Sequence, residues 1–295
     1  MSKLDRLREL FRSYGSCLVA YSGGVDSVFL ARVAQEVLGE RAVAAIADTP
    51  SLPRRELKEA LELAARMGIA VRVVQTSEFD NPSYVANPID RCYFCKHDLF
   101  EGLLPLARAE NLAVMVYGEN ASDIGDFRPG AKAAAEFKVR APLKEAGLTK
   151  QDIREFSALL GLPTAEKPQM ACLSSRIPYG EEVTVEKLKM IEQAEDMLRD
   201  LGFRDVRVRH HEMYSKFPLT APTPDLPPAS DRGVLIHLAR IEVAPGEMNG
   251  FLADGVPAQV AGALKKIGYA HVTLDLLGYR RGSVNEGLPQ PIPAA

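Results

Sequence analysis

The chain has 295 residues, 46% of them hydrophobic and 25% charged, with a formal net charge of −3 at pH 7. This length suggests about two domains, and the composition is that of an ordinary globular protein with enough apolar material for a sizeable core. The weak negative balance gives no general attraction to nucleic acid or anionic membrane, and no apolar run is long enough to span a bilayer.

Residues 1–14 alternate charges with Leu4, Leu7, Leu10 and Phe11, the pattern of an amphipathic helix without the apolar centre of a secretion signal. With no export signal, a cytoplasmic and reducing compartment is expected. The four cysteines are then candidates for metal or chemistry rather than for disulfides. Residues 16–21 read as a short buried strand, and residues 28–38 carry apolar side chains at helical spacing up to Gly39. Between them lies the loop Ser22, Gly23, Gly24, Val25, Asp26, Ser27. Its glycines allow positive φ and close approach to an anion, and the first N–H groups of the following helix point at that anion.

That loop lacks the Lys-Ser/Thr of a Walker A motif and the third glycine of a dinucleotide fingerprint. Its SGGxDS pattern resembles the PP-loop of the ATP pyrophosphatases. The resemblance implies that it holds the β,γ-pyrophosphate of ATP while a nucleophile attacks the α-phosphorus.

Further along, residues 41–47 form a second apolar strand ending at Asp48, and a helix is expected from about residue 53 to Gly68. A third strand covers 70–74, a helix 96–110, and a fourth strand 113–117 ending at Gly118. Alternation of this kind predicts an α/β fold, a Rossmann-like parallel sheet with helices on both faces. Ligands of such sheets sit at the carboxyl ends of the strands, where the loop, Asp48 and Gly118 fall. Asp48 has two open readings, an adenosine contact or a turn cap.

Between 121 and 180 short helical runs alternate with glycine and proline, 150–160 being the clearest with Ile153, Phe156, Leu159 and Leu160. This region is expected to cover the open end of the sheet. A smaller α+β domain follows: a helix over 183–201, a half-buried strand at 206–209, a proline-rich insertion at about 212–233, a strand to 243, a helix to Ile267 and a strand over 272–277. The expected domains are therefore 1–180 and 181–286, with a disordered tail over 287–295.

Cys92 and Cys95 form a CxxC at the mouth of a helix. Alone the pair reads as a zinc or iron–sulfur ligand pair, a redox dithiol or a coincidence. A thioredoxin-type dithiol would follow the first strand of its own small fold, which this pair does not. Cys172 is the candidate third ligand, while Cys17 lies inside the first strand as a small apolar residue.

Taken in order, SGGVDS, ADTPS, RCYFCK, GENASDIGDFRPG, KPQMACLSSRIPYG and LGYRRGSVNE resemble the LarE family of PP-loop sulfur transferases over nearly the whole chain. The resemblance implies adenylation of a carboxylate of pyridinium-3,5-biscarboxylic acid mononucleotide by ATP, with release of pyrophosphate and replacement of AMP by sulfur. Two rounds give the bisthiocarboxylate precursor of the nickel-pincer nucleotide. Mg2+ and cationic residues would offset phosphate charge, Lys96 and Arg176 being candidates, with the Ser22 and Ser27 hydroxyls adding contacts. Asp26 reads either as a Mg2+ ligand or as a carboxylate favoured by the helix dipole.

By resemblance, family members either sacrifice the sulfur of the cysteine matching Cys172, or use that cysteine and a CxxC to hold a [4Fe-4S] cluster with one open iron for a hydrosulfide. The presence of Cys92 and Cys95 favours the cluster type, and tetrahedral zinc is the alternative. The resemblance places the substrate's nucleotide phosphate near Arg207, Arg209, Glu242 and Arg280, where guanidinium forks suit phosphate oxygens. His210 and His211 are adjacent on a strand and point to opposite faces, a structural rather than metal-binding pair.

The chain departs from the family pattern in the insertion at 212–233, beside the proposed phosphate pocket. The expected partners are a small-molecule nucleotide substrate, a sulfide or other sulfur donor and further copies of the chain in a homo-oligomer, with no nucleic acid and no membrane. Three other readings compete. A tRNA thiolase would commonly carry zinc-ribbon CxxC pairs and a basic excess. An ammonia-using ligase of the NAD or GMP synthetase type gives the thiols no role. A non-catalytic nucleotide sensor would bind ATP without releasing pyrophosphate.

Overall fold

The opening segment folds as helix α1 (Lys3–Tyr14), where Ser2 and Asp5 form a capping box and Leu7 and Phe11 are fully buried. It is followed by β1 (Cys17–Ala20), α2 (Val25–Leu38), β2 (Ala42–Asp48), α3 (Arg54–Arg66), β3 (Val71–Gln75), α4 (Pro82–Val85), α5 (Arg91–Ala109), β4 (Val114–Val116), α6 (Pro129–Glu136), α7 (Pro142–Glu145) and α8 (Lys150–Leu159). The computed structural model describes residues 1–125, 128–168, 171–216, 233–280 and 283. Two units emerge, Met1–Cys172 and Leu173–Ala295.

In the first unit the four strands form one parallel sheet in the order β3-β2-β1-β4, the expected α/β arrangement. Because successive strand residues point to opposite faces, β1 and β2 feed two cores. Cys17, Val19, Ala42, Ala44 and Ile46 pack with α1, α2 and α3, whereas Leu18, Val43 and Ala45 pack with Phe100, Leu103 and Ala133 from α5 and α6. Both faces of the sheet are thus covered, which is why these strands read as continuous apolar runs.

The stretch expected to cover the sheet's open end does something else over residues 142–162. Leu143, Ala146, Leu148, Ile153 and Leu162 are buried in the core of α1 and α2, and Phe156 stacks on Phe29 with ring centroids 6.3 Å apart. The helix at 150–160 is present, but Leu159 faces solvent at 80% exposure, since one side of α8 suffices to meet α2.

The second unit contains α9 (Val185–Asp200), β5 (Val206–Ser215), β6 (Val234–Val243), α10 (Met248–Phe251), α11 (Val256–Ile267) and β7 (His271–Leu274). Its sheet runs β5-β6-β7, with β5 and β6 antiparallel and β6 and β7 parallel. Val206, Val208, Ala239, Ile241 and Val243 build its core with Leu198 of α9 and Val260 and Leu264 of α11. Two expectations change here. Residues 206–209 are buried on both faces instead of half-buried, because Arg207 and Arg209 on the second face are themselves covered. Strand β5 also continues through Ser215, pairing Glu212–Ser215 with Val234–His237, so the first residues assigned to the insertion belong to the sheet. Residues 217–232 and the tail over 287–295 lie outside the described residues.

Candidate active site

The SGGVDS loop links β1 to α2 as the sequence predicts. Gly23 has φ of +72°, and a Cβ there would lie 2.5 Å from the Cβ of Ala60 on α3, so any side chain at this position meets packed structure as well as backbone strain. Gly24 precedes α2 without a side-chain cap, leaving the first turn of the helix open to an anion. One hydroxyl fixes the loop: the Ser22 N–H donates to Ser27 Oγ at 3.1 Å, and that Oγ donates to the Gly24 carbonyl at 3.1 Å. Gly118, just beyond β4, passes close by. A Cβ on it would come within 3.2 Å of Asp26 Cβ and 3.3 Å of the Ser27 nitrogen.

Asp26 lies in the first turn of α2 and accepts from Lys150 Nζ at 2.5 Å and from Asn120 Nδ2 at 3.5 Å. Lys150, the first residue of α8, was missed in the sequence because nothing local ties it to a carboxylate 124 positions away. Glu119, which the sequence also puts at this end of the sheet, is buried and accepts from Lys144 at 2.8 Å and from the Tyr117 hydroxyl. Burial alone would raise its carboxyl, but these hydrogen bonds outweigh it and hold the group below its usual range. Asp48 ends β2 paired with Arg54 and, at 3.3 Å, with Gln75. The Arg54 hydrogen bond lowers its carboxyl.

Cys92 and Cys95 lie on the first turns of α5, which begins at Arg91, five residues earlier than the expected start at 96. Asp90 occupies the position before the helix, and the buried Arg91 is held by Asn87. The charge of Cys172 acts on both thiols, which places the three cysteines in one neighbourhood. Burial, then Cys172, push Cys95 up to about 12, against a lowering by Lys96. Cys92 is raised by the same two causes, while Arg91 and Lys96 pull it down. Lys96 itself packs its Cγ 2.9 Å from where a Cβ on Gly130 would stand, and its Nζ lies 5.8 Å from the Phe100 ring centre. Cys17 stays inside β1, fully buried, with its thiol raised to about 12 by burial.

Among the described residues the three sulfurs do not form a group within 4.8 Å of one another. A single tetrahedral zinc with bonds of about 2.3 Å needs its sulfurs at roughly 3.8 Å. As the side chains stand, the three cysteines do not take up the spacing of one tetrahedral ion.

In the second unit Arg176, Arg207 and Arg209 are buried and Arg280 is half-buried, and Arg176, Arg209 and Arg280 meet carboxylates. Arg209 grips Glu242 with Nε at 3.0 Å and Nη2 at 2.8 Å, and also reaches Ser283 Oγ at 2.7 Å and the Ser175 carbonyl at 2.9 Å. Arg176 does the same to Glu195 at 2.8 and 3.0 Å. Arg207 lies 4.7 Å over the Tyr279 ring, and burial followed by the charge of Arg176 lowers its guanidinium. Arg280 contacts Asp275 at 3.4 Å and the Gly278 carbonyl at 2.9 Å. His210 is fully buried between Tyr269 Oη at 3.2 Å and His237 Nδ1 at 3.0 Å, and burial lowers it to about 3. His211, on the opposite face, accepts from Arg240 at 3.3 Å.

A family model for NAD synthase matches residues 5–85, the part built around the loop. The pyridinium-3,5-bisthiocarboxylic acid mononucleotide synthase of Lactiplantibacillus plantarum is 32% identical over 92% of this chain and 89% of its own length. The chain belongs to that enzyme's family, the LarE family of PP-loop enzymes. An uncharacterised protein of Synechocystis is 44% identical over 97% of this chain and 98% of its own length. One component of the glutamine-hydrolysing GMP synthase of Archaeoglobus fulgidus is 25% identical over 67% of this chain and 68% of its own length. Membership implies an ATP-dependent enzyme that uses Mg2+. Among the described residues no helix is long and apolar enough to cross a membrane.

Proposed function

We propose that the protein is an ATP-dependent sulfur transferase that activates a carboxylate of pyridinium-3,5-biscarboxylic acid mononucleotide as its adenylate and replaces AMP with sulfur, giving the thiocarboxylate precursor of the nickel-pincer nucleotide. The observation that carries this reading is the likeness, over nine-tenths of the chain, to a synthase whose product is the bisthiocarboxylic acid. A carboxylate oxygen is a poor leaving group, and bonding it to the α-phosphorus of ATP turns it into AMP.

In this reading residues 1–180 carry adenylation. Ser22, Gly23, Gly24, Val25, Asp26 and Ser27 bind the phosphates at the N-terminus of α2, with Asp48 and Gly118 lining the same end of the sheet. Lys96 offsets developing negative charge near the thiols. Cys92, Cys95 and Cys172 would hold a [4Fe-4S] cluster, which would supply the iron needed to take up and deliver sulfide. Residues 181–286 take the substrate's nucleotide phosphate. Arg207 and Arg209, two buried guanidiniums beside the fully buried Glu242, would offer planar forks to that phosphate, while Arg176, read from the sequence as a cation for the ATP phosphates, grips Glu195. Arg280 would add to that site.

The test is an anaerobic assay with ATP, Mg2+ and the biscarboxylate mononucleotide, following pyrophosphate, product mass and the mass of the protein itself. Sulfide-dependent product through many turnovers, with iron bound and Cys172 intact, is expected. Loss of H2S from Cys172 would replace the cluster route with a sacrificial one. Pyrophosphate release that depends on ammonia instead of sulfide, or full multiple turnover by Cys92→Ala, would overturn the reading.

A further inference from the structure

One turn beyond the CxxC, α5 carries donor groups that the proposed reaction does not use. His97 Nδ1 lies 3.8 Å from Asp98 Oδ1 and 3.9 Å from Glu101 Oε2. One ligand atom from each of the three residues falls within 4.8 Å of the others. His97 and Glu101, four apart, share a helix face. The imidazole is oriented by its neighbours, with the Phe137 ring 4.9 Å away edge-on and the Tyr93 ring at 6.0 Å.

A second observation, independent of this proximity, points to a cation ligand. Asp98 Oδ2 and Glu78 Oε2 are buried carboxylate oxygens without a hydrogen-bond partner. The Asp98 side chain is 10% exposed and Glu78 2%. The other oxygen of Glu78 accepts from the Thr49 hydroxyl. Buried acceptors of this kind are normally satisfied, and a buried carboxylate is normally paired or bound to metal. Here the carboxylates crowd one another. Burial raises the Asp98 carboxyl, and the charges of Glu78 and Glu101 raise it further against opposing effects of Asn81 and His97. Among the described residues, His97 is the only ion-pair partner of Asp98 and Glu101, and Glu78 has none.

We propose that His97, Asp98 and Glu101, with Glu78 as the buried carboxylate behind them, form a binding site for a divalent first-row transition ion. One imidazole nitrogen with carboxylate oxygens suits Zn2+, Mn2+, Fe2+ or Ni2+, whereas Mg2+ and Ca2+ prefer oxygen alone. Bonds of about 2.1 Å bring donors to roughly 3–4 Å from one another, which the His97 contacts already approach. The ion supplies the positive charge that the two unpartnered oxygens lack. It also ties the segment holding Glu78 to the helix that bears Cys92 and Cys95.

The probe is Mn2+, which takes nitrogen and oxygen donors and does not favour thiolates, so the cysteines do not compete for it. The full chain, stripped of metal and without ATP, is titrated with Mn2+ while free aqua Mn2+ is counted by electron paramagnetic resonance. Uptake of about one ion per chain is expected, with affinity about tenfold or more weaker in His97→Ala and Glu101→Gln. Glu101 is 69% exposed, so its amide variant leaves the core undisturbed. Uptake should persist in the combined Cys92→Ser, Cys95→Ser, Cys172→Ser variant and in Asp26→Asn. No uptake at millimolar Mn2+, uptake indifferent to His97→Ala and Glu101→Gln, or uptake lost with the cysteines or with Asp26 would each overturn the proposal.

Discussion

Cys95 is held as a thiol by its surroundings, burial and then the Cys172 charge pushing it to about 12. The thiolate is the reactive form, so the metal-free protein should alkylate slowly at Cys95 near neutral pH. Its rate should rise about tenfold per pH unit beyond the point where an ordinary thiol, with a pKa near 8.5, levels off. Iodoacetamide labelling followed by peptide mass spectrometry reads this directly, and a Cys95 rate that levels off near pH 9 contradicts it. A metal that binds here must displace those protons, which gives the nearby cations their purpose. Lys96 was legible from the sequence as a cation for phosphate charge, whereas here its charge acts on both thiols. Arg91 was not, although it stands in the same motif. Its place depends on burial and on Asn87, whose backbone has φ of +54°, and neither can be read from residue spacing.

Helix α8 joins local signals to the loop chemistry. Thr149 and Asp152 form its capping box, with Thr149 Oγ1 accepting the Asp152 N–H at 3.2 Å and Asp152 Oδ2 accepting the Thr149 N–H at 2.7 Å. Lys3 adds an ion pair to Asp152 at 2.7 Å. Thr149→Ala should cost about 1 kcal/mol at neutral pH and weaken the hold of Lys150 on Asp26. Burial would raise Asp152, but the hydrogen bonds from Lys3 and Thr149 prevail and bring it to about 2. A folded-state value below the unfolded one, about 3.9, means that this stabilisation is complete above the unfolded value and is lost as pH falls through the folded one. Urea midpoints of Asp152→Asn and the parent should therefore differ near pH 7 and converge as pH drops from about 4 towards 2. A constant difference across that range removes Asp152 from the account. The helix itself was legible in the sequence from Ile153 and Phe156. Its role was not, because composition cannot say which partner covers an apolar face. Here α2 does, through Phe29, and the expected cover of the sheet becomes core over 142–162.

Across the whole molecule, the two units differ in how legible they were. The parallel sheet followed from alternating apolar runs, since a strand covered on both faces has little else to display. The second unit's organisation rests on buried ion pairs whose partners are far apart in sequence, and no local pattern announces them. Glu195 is the clearest case. It is fully buried, accepting from Arg176 at 2.8 and 3.0 Å, from Arg199 at 3.0 Å and from the Val208 N–H at 3.0 Å. Burial would raise its carboxyl, yet Arg176 and Arg199 keep it below the usual range, and the charge of Arg207 acts in the same direction. Removing one member of such a group leaves buried charge uncompensated, so Glu195→Gln should lose about 3–5 kcal/mol of stability. Glu186→Gln, at an exposed position in the first turn of α9, should stay within about 0.5 kcal/mol of the parent. Urea denaturation followed by circular dichroism suits a chain without tryptophan. If the Glu195→Gln midpoint matched that of Glu186→Gln, the arginines would not depend on this carboxylate. A large fall would mean that Glu195 holds the guanidiniums of Arg176 and Arg199 in place before any substrate arrives.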